Sequence, residues 1–437
     1  MKRLKPYMQI YLMGWGVYFI NYCCRYNYSA SMVIIGQTEE IDVTQLGFVA
    51  SVLFVTYGSG QLISGWLGDR FNPKIMIFCG TMGAAISNII MSLSDNVLTM
   101  ELAWGINGLC CSFLWAPMVR LLTLYMPEDL LNKAILSFSY CSALGITATY
   151  LLTAWLNSYF SWRVCFWVPA IISALSAAGW LLVSLTSGPV PKSISNVLTS
   201  AIQNELKQSP LKIYCKSGLP LIFIMIVIMG VLKDGIMTWL PQIITDTLKI
   251  NAEDSIAISA VLPLTHVISV WAIKWLYKHK KDNDMLNSGI LFVSSGLCML
   301  IVVFSGTFFP VLNIILYLLI STLVNGISVM LINSVPLQYA RFGRVSTLAG
   351  ITNTFTYVGS SLSSYGLGFI AQNYSWSFAN GALALCCFLG LLFSLLANPL
   401  WRNFIQVKKA PETMRQQKSG ADQVERDSVW KDHYHMN

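Results

Sequence analysis

The sequence predicts an all-α membrane protein with twelve transmembrane helices, arranged in two halves of six helices each. The first reason is composition, since 55% of the 437 residues are hydrophobic and only 11% are charged, whereas charged residues make up about 25% of a soluble domain. The second reason is a series of apolar runs of about 20 residues, the length that a helix needs to cross a bilayer. The third is one long polar interruption near the middle of the chain.

Each apolar run predicts a spanning helix because a helix satisfies its own backbone hydrogen bonds within the hydrocarbon. The first run is about 25 residues long and lacks a small-residue cleavage site before Arg25, so we interpret it as a permanent helix and not as a signal peptide. The predicted helices cover roughly residues 8–34, 45–67, 74–94, 98–125, 131–156, 161–185, 217–245, 254–277, 286–305, 309–337, 346–371 and 376–401.

The polar interruption divides the chain into domains. We predict an N-terminal six-helix half at 1–185, a central loop rich in proline and lysine at 186–216, a C-terminal six-helix half at 217–402 and a polar tail at 403–437. The composition of the tail favours disorder or a short surface helix.

The distribution of charge predicts the orientation. Positive charge concentrates at the two termini, in the central loop and in every second turn, whereas the other turns are mainly acidic. Because cytoplasmic loops of membrane proteins carry the excess of Lys and Arg, we expect both termini and the central loop to be cytoplasmic. We also expect a multi-pass protein of the cell inner (plasma) membrane.

A faint repeat relates the two halves. The segment Asn157-Ser158-Tyr159-Phe160-Ser161-Trp162 resembles Gln372-Asn373-Tyr374-Ser375-Trp376, about 214 residues later. Parallel repeats of six helices characterise a large class of secondary transporters. The sequence contains no Walker loop, which argues against an ATP-driven pump.

Two cations lie at matching depth within apolar helices, Arg25 in the first and Lys233 in the seventh. A charge at the centre of the membrane costs roughly 2.5–3.5 kcal/mol on insertion scales, so such residues usually face a bundle interior and meet a partner or a ligand. The pair therefore predicts an anion-binding site at the bilayer midplane. Lys233 could instead form an internal salt bridge or extend toward the membrane surface.

Polar residues surround these cations in the helical pattern. Tyr18, Tyr22, Arg25 and Ser29 recur on one stripe of the first helix, and Tyr57 and Gln61 form an i, i+4 pair on the second. Tyrosines could donate hydrogen bonds to an anion, although tyrosine and serine also line ordinary helix interfaces. Asp234 points roughly 100° away from Lys233 around the helix. It could pair with another helix or carry a proton.

Other functional classes lack support. The 11 cysteines fall almost entirely inside apolar runs and the four histidines do not cluster with them, so neither a disulfide framework nor a zinc site is predicted. No nucleophile–base arrangement is visible. We therefore expect no enzymatic activity, no cofactor, no metal and no nucleic-acid partner, and we expect a monomer in the lipid bilayer.

The turn after the second predicted helix reads Gly65-Trp66-Leu67-Gly68-Asp69-Arg70-Phe71-Asn72-Pro73-Lys74. This pattern is similar to the loop 2–3 signature of the major facilitator superfamily, whose aspartate latches the outward-open state. The resemblance implies a major facilitator fold and gating roles for Asp69 and Arg70. Arg120, near the end of the fourth helix, is expected to gate or to pair with these charges.

Further positions resemble one subgroup, the organophosphate:phosphate antiporters, which include bacterial glycerol-3-phosphate and hexose-phosphate carriers. The matching segments are Tyr22-Cys23-Cys24-Arg25, Tyr57-Gly58, Trp115-Ala116-Pro117-Met118-Val119-Arg120, the run Leu232-Lys233-Asp234-Gly235-Ile236 with Trp239 and Pro241, and Ala349-Gly350 with Tyr357 and Gly359. The likeness spans nearly all of 8–401. The chain departs from the subgroup at several positions. Lys233 stands where the subgroup has a second arginine, and Tyr26 and Gln61 stand where many members have lysines. The histidine that the glycerol-3-phosphate carriers have in the fifth helix would fall near Ala143.

These observations predict a secondary transporter of a small organic anion that works by alternating access. The preferred substrate is a phosphorylated metabolite, such as a sugar phosphate or glycerol phosphate, exchanged for inorganic phosphate or coupled to protons. Arg25 and Lys233 would clamp the anion, while Tyr18, Tyr22, Tyr57 and Gln61 would orient the rest. The alternatives are a proton-coupled carboxylate symporter, in which Asp234 carries the proton, and a transporter-like sensor of sugar phosphate.

Overall fold

The computed structural model describes residues 5–188, 217–279, 283–306, 308–339 and 345–433, and these residues contain helices and no β-strand. Twelve helical spans follow one another along them, which confirms the predicted fold class. They are α1 Pro6–Thr38, α2 Val43–Arg70, α3 Pro73–Ser92, α4 Val97–Ser112 with Trp115–Tyr125, α5 Glu128–Tyr159, α6 Val164–Thr186, α7 Leu219–Leu248, α8 Ala252–Ser259 with Leu262–Leu264 and Thr265–His279, α9 Asp284–Ser305, α10 Pro310–Ser328 with Val329–Ser334 and Val335–Leu337, α11 Val345–Asn373 and α12 Trp376–His433.

The ends of these spans differ from the prediction in one main respect. α12 continues as a single helix to His433, although the tail from residue 403 was expected to be disordered or to form a short surface helix. The tail is rich in Lys, Arg, Glu and Gln, which are good helix formers, so a helix that begins in the membrane can propagate into it. Most of the predicted central loop, residues 189–216, lies outside the described residues.

Asparagine side chains cap the beginning of several spans. Each accepts a hydrogen bond from a backbone N–H in the first turn, which satisfies a donor that has no partner within the helix. The caps are Asn72 for α3, Asn96 for α4, Asn251 for α8 and Asn283 for α9. These residues fix where the chain re-enters the membrane after each turn.

Three of the spans contain a break that a proline explains. A proline ring clashes with the carbonyl group four residues earlier. In α4 the break at Phe113 lies four residues before Pro117, and in α8 the first segment ends at Ser259, four residues before Pro263. In α10 a π-helical turn at Val329–Ser334 precedes Pro336.

Ten of the spans are long and apolar enough to cross a membrane by themselves. The two exceptions are α1 and α11, which are rich in Tyr, Asn, Ser, Thr and Gly. Because both helices lie inside the bundle and not against lipid alone, their polar side chains can meet protein partners or water.

The same tryptophan contact closes one end of each half. The Trp162 indole donates to Glu39 Oε1 at 2.9 Å, and the Trp376 indole donates to Asp246 Oδ2 at 2.7 Å. In each case the tryptophan begins the sixth helix of its half and the carboxylate lies at the end of the first. The hydrogen bond from Trp162, together with the ion pair to Arg163, lowers the pKa of Glu39 against the opposing effect of burial.

The two halves meet tightly at this end of the bundle, which we call the Glu39 end. α2 and α11 form the most extensive contact between the halves. Ser51 Oγ lies 2.7 Å from Ser361 Oγ, and the Val43 N–H donates to Gln372 Oε1 at 3.2 Å. A Cβ atom at Gly47 would lie 2.3 Å from the carbonyl oxygen of Ser364, so only glycine permits this approach.

The halves separate at the opposite end, which carries the turn at Phe71 and is called the Phe71 end. A Cβ atom placed at Gly65 of α2 or at Gly350 of α11 would have no neighbour within 4 Å. Nearer the middle of this pair of helices, a Cβ atom at Gly58 would lie 2.9 Å from Tyr357 Cβ. Among the described residues, α2 and α11 are therefore in close contact at the Glu39 end and show no such contact at Gly65 and Gly350, near the Phe71 end.

We predict that cysteines at Ser51 and Ser361 form a disulfide bond in mild oxidant, because the two side chains already touch. A protease site placed between residues 189 and 216 would allow the halves to be separated, and a non-reducing gel would show whether they remain joined. The matched control is the pair Gly65→Cys and Gly350→Cys, which should not cross-link, and the cleaved parent chain gives the baseline for native cysteines. If only the control pair formed a cross-link, the halves would be in contact at the Phe71 end and not at the Glu39 end, which would contradict the structure.

Candidate functional site

A cavity of about 640 Å³, part of it open to solvent, lies between the two halves. α1 and α5 of the first half and α7, α8, α10 and α11 of the second contribute to its wall. Four of the residues predicted from the sequence line it, namely Tyr22, Arg25, Lys233 and Asp234.

Arg25 is almost completely buried, with 5% of its surface exposed. Its guanidinium carbon lies 3.8 Å from the ring centroid of Tyr57 and 5.4 Å from those of Tyr26 and Tyr357. Aromatic faces stabilise a cation without neutralising its charge. The Nε atom has no hydrogen-bond partner, and Arg25 forms no ion pair, among the described residues. The charge is therefore held in place and remains available to an anion.

Lys233 reaches the same cavity from the second half. Its side chain is 35% exposed, and its Nζ atom lies 4.0 Å from Asp234 Oδ1, the outer limit of an ion pair. Asp234 is buried and accepts a hydrogen bond from the Ser360 hydroxyl of α11. Asp234 thus has a partner on another helix, and the Lys233 ammonium keeps donors that can turn toward a ligand.

Tyr18, Tyr57 and Gln61 are not among the residues that line the cavity in this conformation. Tyr57 supports the guanidinium of Arg25, as described above. The Tyr18 hydroxyl lies 3.4 Å from the Tyr22 hydroxyl, and its ring packs on Trp115. Gln61 is half-buried one turn beyond Tyr57. Direct contact of these three residues with a substrate stays a prediction.

Several lining residues did not appear among the site residues predicted from the sequence. They are Tyr26, Ser142, His266, Ser321, Asn325 and Tyr357. His266 and Asn325 were visible as polar residues at membrane depth, and Ser321 precedes Asn325 by one helical turn, so their spacing carried a signal. Ser142 follows other serines along α5 and had no distinguishing feature.

The predicted gating residues lie at the Phe71 end, away from the cavity. Arg120 Nη1 donates to the carbonyl oxygen of Phe71 at 3.3 Å, which ties the end of α4 to the turn between α2 and α3. Arg70 is exposed at the last residue of α2. The side chain of Asp69 lies outside the described part of the structure.

Comparison with known proteins agrees with this architecture. The sequence profile of the Major Facilitator Superfamily matches residues 14–364. A probable hexose phosphate transport protein of Chlamydia muridarum is 24% identical over 424 residues, which cover 90% of each chain. The glycerol-3-phosphate transporter of Bacillus subtilis is 24% identical over 419 residues, which cover 90% of this chain and 92% of the relative.

Among solved structures, the inward-facing, occupied form of a bacterial homologue of the human lysosomal transporter Spinster superposes with a TM-score of 0.73. It covers 92% of this chain and 99% of its own at 12% identity, so this likeness concerns the fold alone. All three of these proteins are named as transport proteins or homologues of one. The predicted family is confirmed: this chain belongs to the major facilitator superfamily and is a multi-pass membrane transporter.

Proposed function

We propose that this transporter carries a small phosphorylated metabolite, such as a sugar phosphate or a glycerol phosphate, in exchange for inorganic phosphate or together with protons. The observation that carries the proposal is Arg25, a buried cation with no acidic partner among the described residues and an unpartnered Nε atom at the wall of a central cavity. A guanidinium binds the oxygen atoms of a phosphate in a planar, two-point geometry.

The position of Lys233 on the other half supports the same substrate. An anion held by both Arg25 and Lys233 would connect the two halves, and a bound ligand can shift a transporter only toward the state that it contacts better. Two relatives that match nearly the whole chain are named for hexose phosphate and for glycerol-3-phosphate. We carry their substrate class over to this chain as part of the proposal.

The balance of charge bears on coupling. The cavity contains two cations, Arg25 and Lys233, and one carboxylate, Asp234. A phosphate dianion would compete with Asp234 for Lys233, and protonation of Asp234 would remove that competition. Asp234 is therefore our candidate for proton coupling. A carboxylate symporter would use the same residues with a monoanion, so the choice of substrate in the assay below separates the two functions.

The turn at the Phe71 end has a proposed role in gating. The latch that the family resemblance assigns to Asp69 would include Arg70 and the tether from Arg120 to Phe71. Such a latch changes the population of conformations without contacting the substrate.

We propose that the Phe71 end faces the cytoplasm of the cell inner membrane, which puts both termini inside, because the lysines and arginines concentrate on that side. We predict that a cysteine placed at residue 437 is labelled by an impermeant maleimide only after the cells are opened, since the end of the chain lies inside. A cysteine placed at Asp254, in the acidic first turn of α8 at the Glu39 end, should react in intact cells. The reverse pattern of labelling would contradict the orientation.

The function is tested by reconstituting the purified protein in liposomes and measuring counterflow of labelled phosphate. Glucose 6-phosphate and glycerol 3-phosphate are offered on the opposite side, with lactate as the monoanionic carboxylate. Exchange of phosphate for either ester supports the proposal. Uptake of lactate with protons, and none of phosphate, would favour the carboxylate symporter. Binding of an ester without any flux would favour a sensor.

We predict that Arg25→Ala and Lys233→Ala each abolish exchange and weaken phosphate binding by at least tenfold, because a charge-assisted hydrogen bond contributes about 1.5–3 kcal/mol. Arg25→Lys should also fail, since a point charge cannot reproduce the planar fork, whereas Lys233→Arg should retain exchange. Binding is measured on folded, monodisperse protein. Unchanged phosphate affinity in both alanine variants would show that the two cations serve only the fold.

We predict that Tyr57→Phe retains phosphate binding, while Tyr57→Leu weakens it several-fold. Phenylalanine preserves the aromatic face on which the Arg25 guanidinium lies, and leucine removes it. The melting temperature without ligand controls for damage to the fold, and titration with inorganic phosphate measures the effect. Loss of binding in Tyr57→Phe would mean that the hydroxyl, and not the ring, is the part that matters.

A further inference from the structure

One wall of the cavity is formed by polar side chains that include neither lysine nor arginine. His266 of α8 and Ser321 and Asn325 of α10 line the cavity beside Lys233, and Ser142 of α5 lies on the wall of the first half. None of these residues is needed to hold a phosphate between Arg25 and Lys233. They place neutral donors and acceptors where the remainder of a substrate would lie.

Hydrogen bonds order the part of this wall that α10 provides. Asn325 Nδ2 donates to Thr265 Oγ1 and to Ser321 Oγ, both at 3.3 Å, and these two hydroxyls lie 2.9 Å apart. The donors of Asn325 are thus directed to protein groups, and the acceptor that its side chain retains also serves a hydrogen bond with His266 at the cavity wall. An acceptor fixed in this way suits a hydroxyl group of a ligand.

Ser142 faces the wall from the other half. The Thr147 hydroxyl donates to the Ala260 carbonyl oxygen at 3.0 Å, which joins α5 to α8 toward the Glu39 end. Ser142 and His266 each lie more than one helical turn from that contact, on the cavity side. The Ser142 hydroxyl donates to the Ser139 carbonyl at 2.7 Å, so its oxygen can accept from a ligand.

The backbones of α8 and α10 depart from regular α-helical geometry beside these side chains. His266 follows the 3-10 turn Leu262–Leu264, and Asn325 precedes the π-helical turn Val329–Ser334. Irregular backbone at membrane depth is tolerated where it lines a cavity, and π-helical turns often occur at functional sites. This observation is independent of the side-chain contacts and points to the same wall.

We propose that Ser142, His266, Ser321 and Asn325 form a subsite for the hydroxyl groups of a polyol or sugar whose phosphate lies between Arg25 and Lys233. The inference rests on the proposed function and deepens it by naming the chemistry of the uncharged end. A site built to hydrogen-bond a hydroxyl rejects the analogue that lacks it, because its polar groups would be left unpaired. An apolar phosphate ester should therefore bind poorly.

The test uses two ligands that differ only in hydroxyl groups, glycerol 3-phosphate and n-propyl phosphate, with inorganic phosphate as the third probe. Affinities are measured by calorimetry on the purified full-length protein. We expect glycerol 3-phosphate to bind at least tenfold more tightly than propyl phosphate. In His266→Ala and Asn325→Ala the ratio should fall below threefold, while the affinity for inorganic phosphate changes less than threefold.

Thr322→Ala is the matched control, since Thr322 follows Ser321 on α10, bonds to the Leu318 carbonyl and does not line the cavity. This variant should keep the ratio of the parent chain. If the parent binds inorganic phosphate but binds both esters equally, the subsite is wrong and the proposed function stands. If the variants lose all three ligands together, these residues support the fold or the cations and not hydroxyl recognition. Failure of the parent to bind any of the three ligands overturns both proposals.

Discussion

The rest of the site depends on keeping one guanidinium charged inside the membrane. Arg25 is buried without an acidic partner among the described residues, and an isolated charge at this depth is unfavourable by several kcal/mol. The surrounding tyrosines Tyr26, Tyr57 and Tyr357 offset part of this cost. A carboxylate would offset more, but it would occupy the position that the proposed anionic substrate needs.

This arrangement also connects the charge to the contact between the halves. Tyr357 belongs to α11 of the second half, yet its ring lies 5.4 Å from the Arg25 guanidinium and 4.7 Å from the Tyr57 ring. The same residue packs on Gly58, a close contact between α2 and α11. A ligand that draws Arg25 toward it would change packing at this contact. Because packed interfaces tend to have discrete arrangements, a small local shift there can favour one conformation of the bundle over another.

Sequence reasoning identified the features that carry a large free-energy cost. Ten of the twelve spans follow from apolar length, and Arg25 and Lys233 stand out because charge in the membrane is so unfavourable. Residues whose burial carries only a small free-energy cost were missed as part of the cavity wall. Ser142 differs little in sequence from any other serine on a helix. The position of Tyr357 depends on which helix α11 packs against. The breaks in α4, α8 and α10 follow from prolines that the sequence displays, although apolar length alone predicted continuous helices.

The two cations differ in a way that suits alternating access. Arg25 is buried and held by aromatic rings, whereas Lys233 is a third exposed and lies at the limit of contact with Asp234. A fixed guanidinium provides direction, and a flexible ammonium can follow a ligand as the halves move. When Lys233 leaves Asp234, the carboxylate retains the Ser360 hydroxyl, so the cost of separation is smaller than for an isolated buried charge. In the proposed function, Lys233 would exchange its contact with Asp234 for a contact with the substrate, and every charged group would keep a partner in both states. A carrier must both bind and release its substrate, and such an exchange permits both.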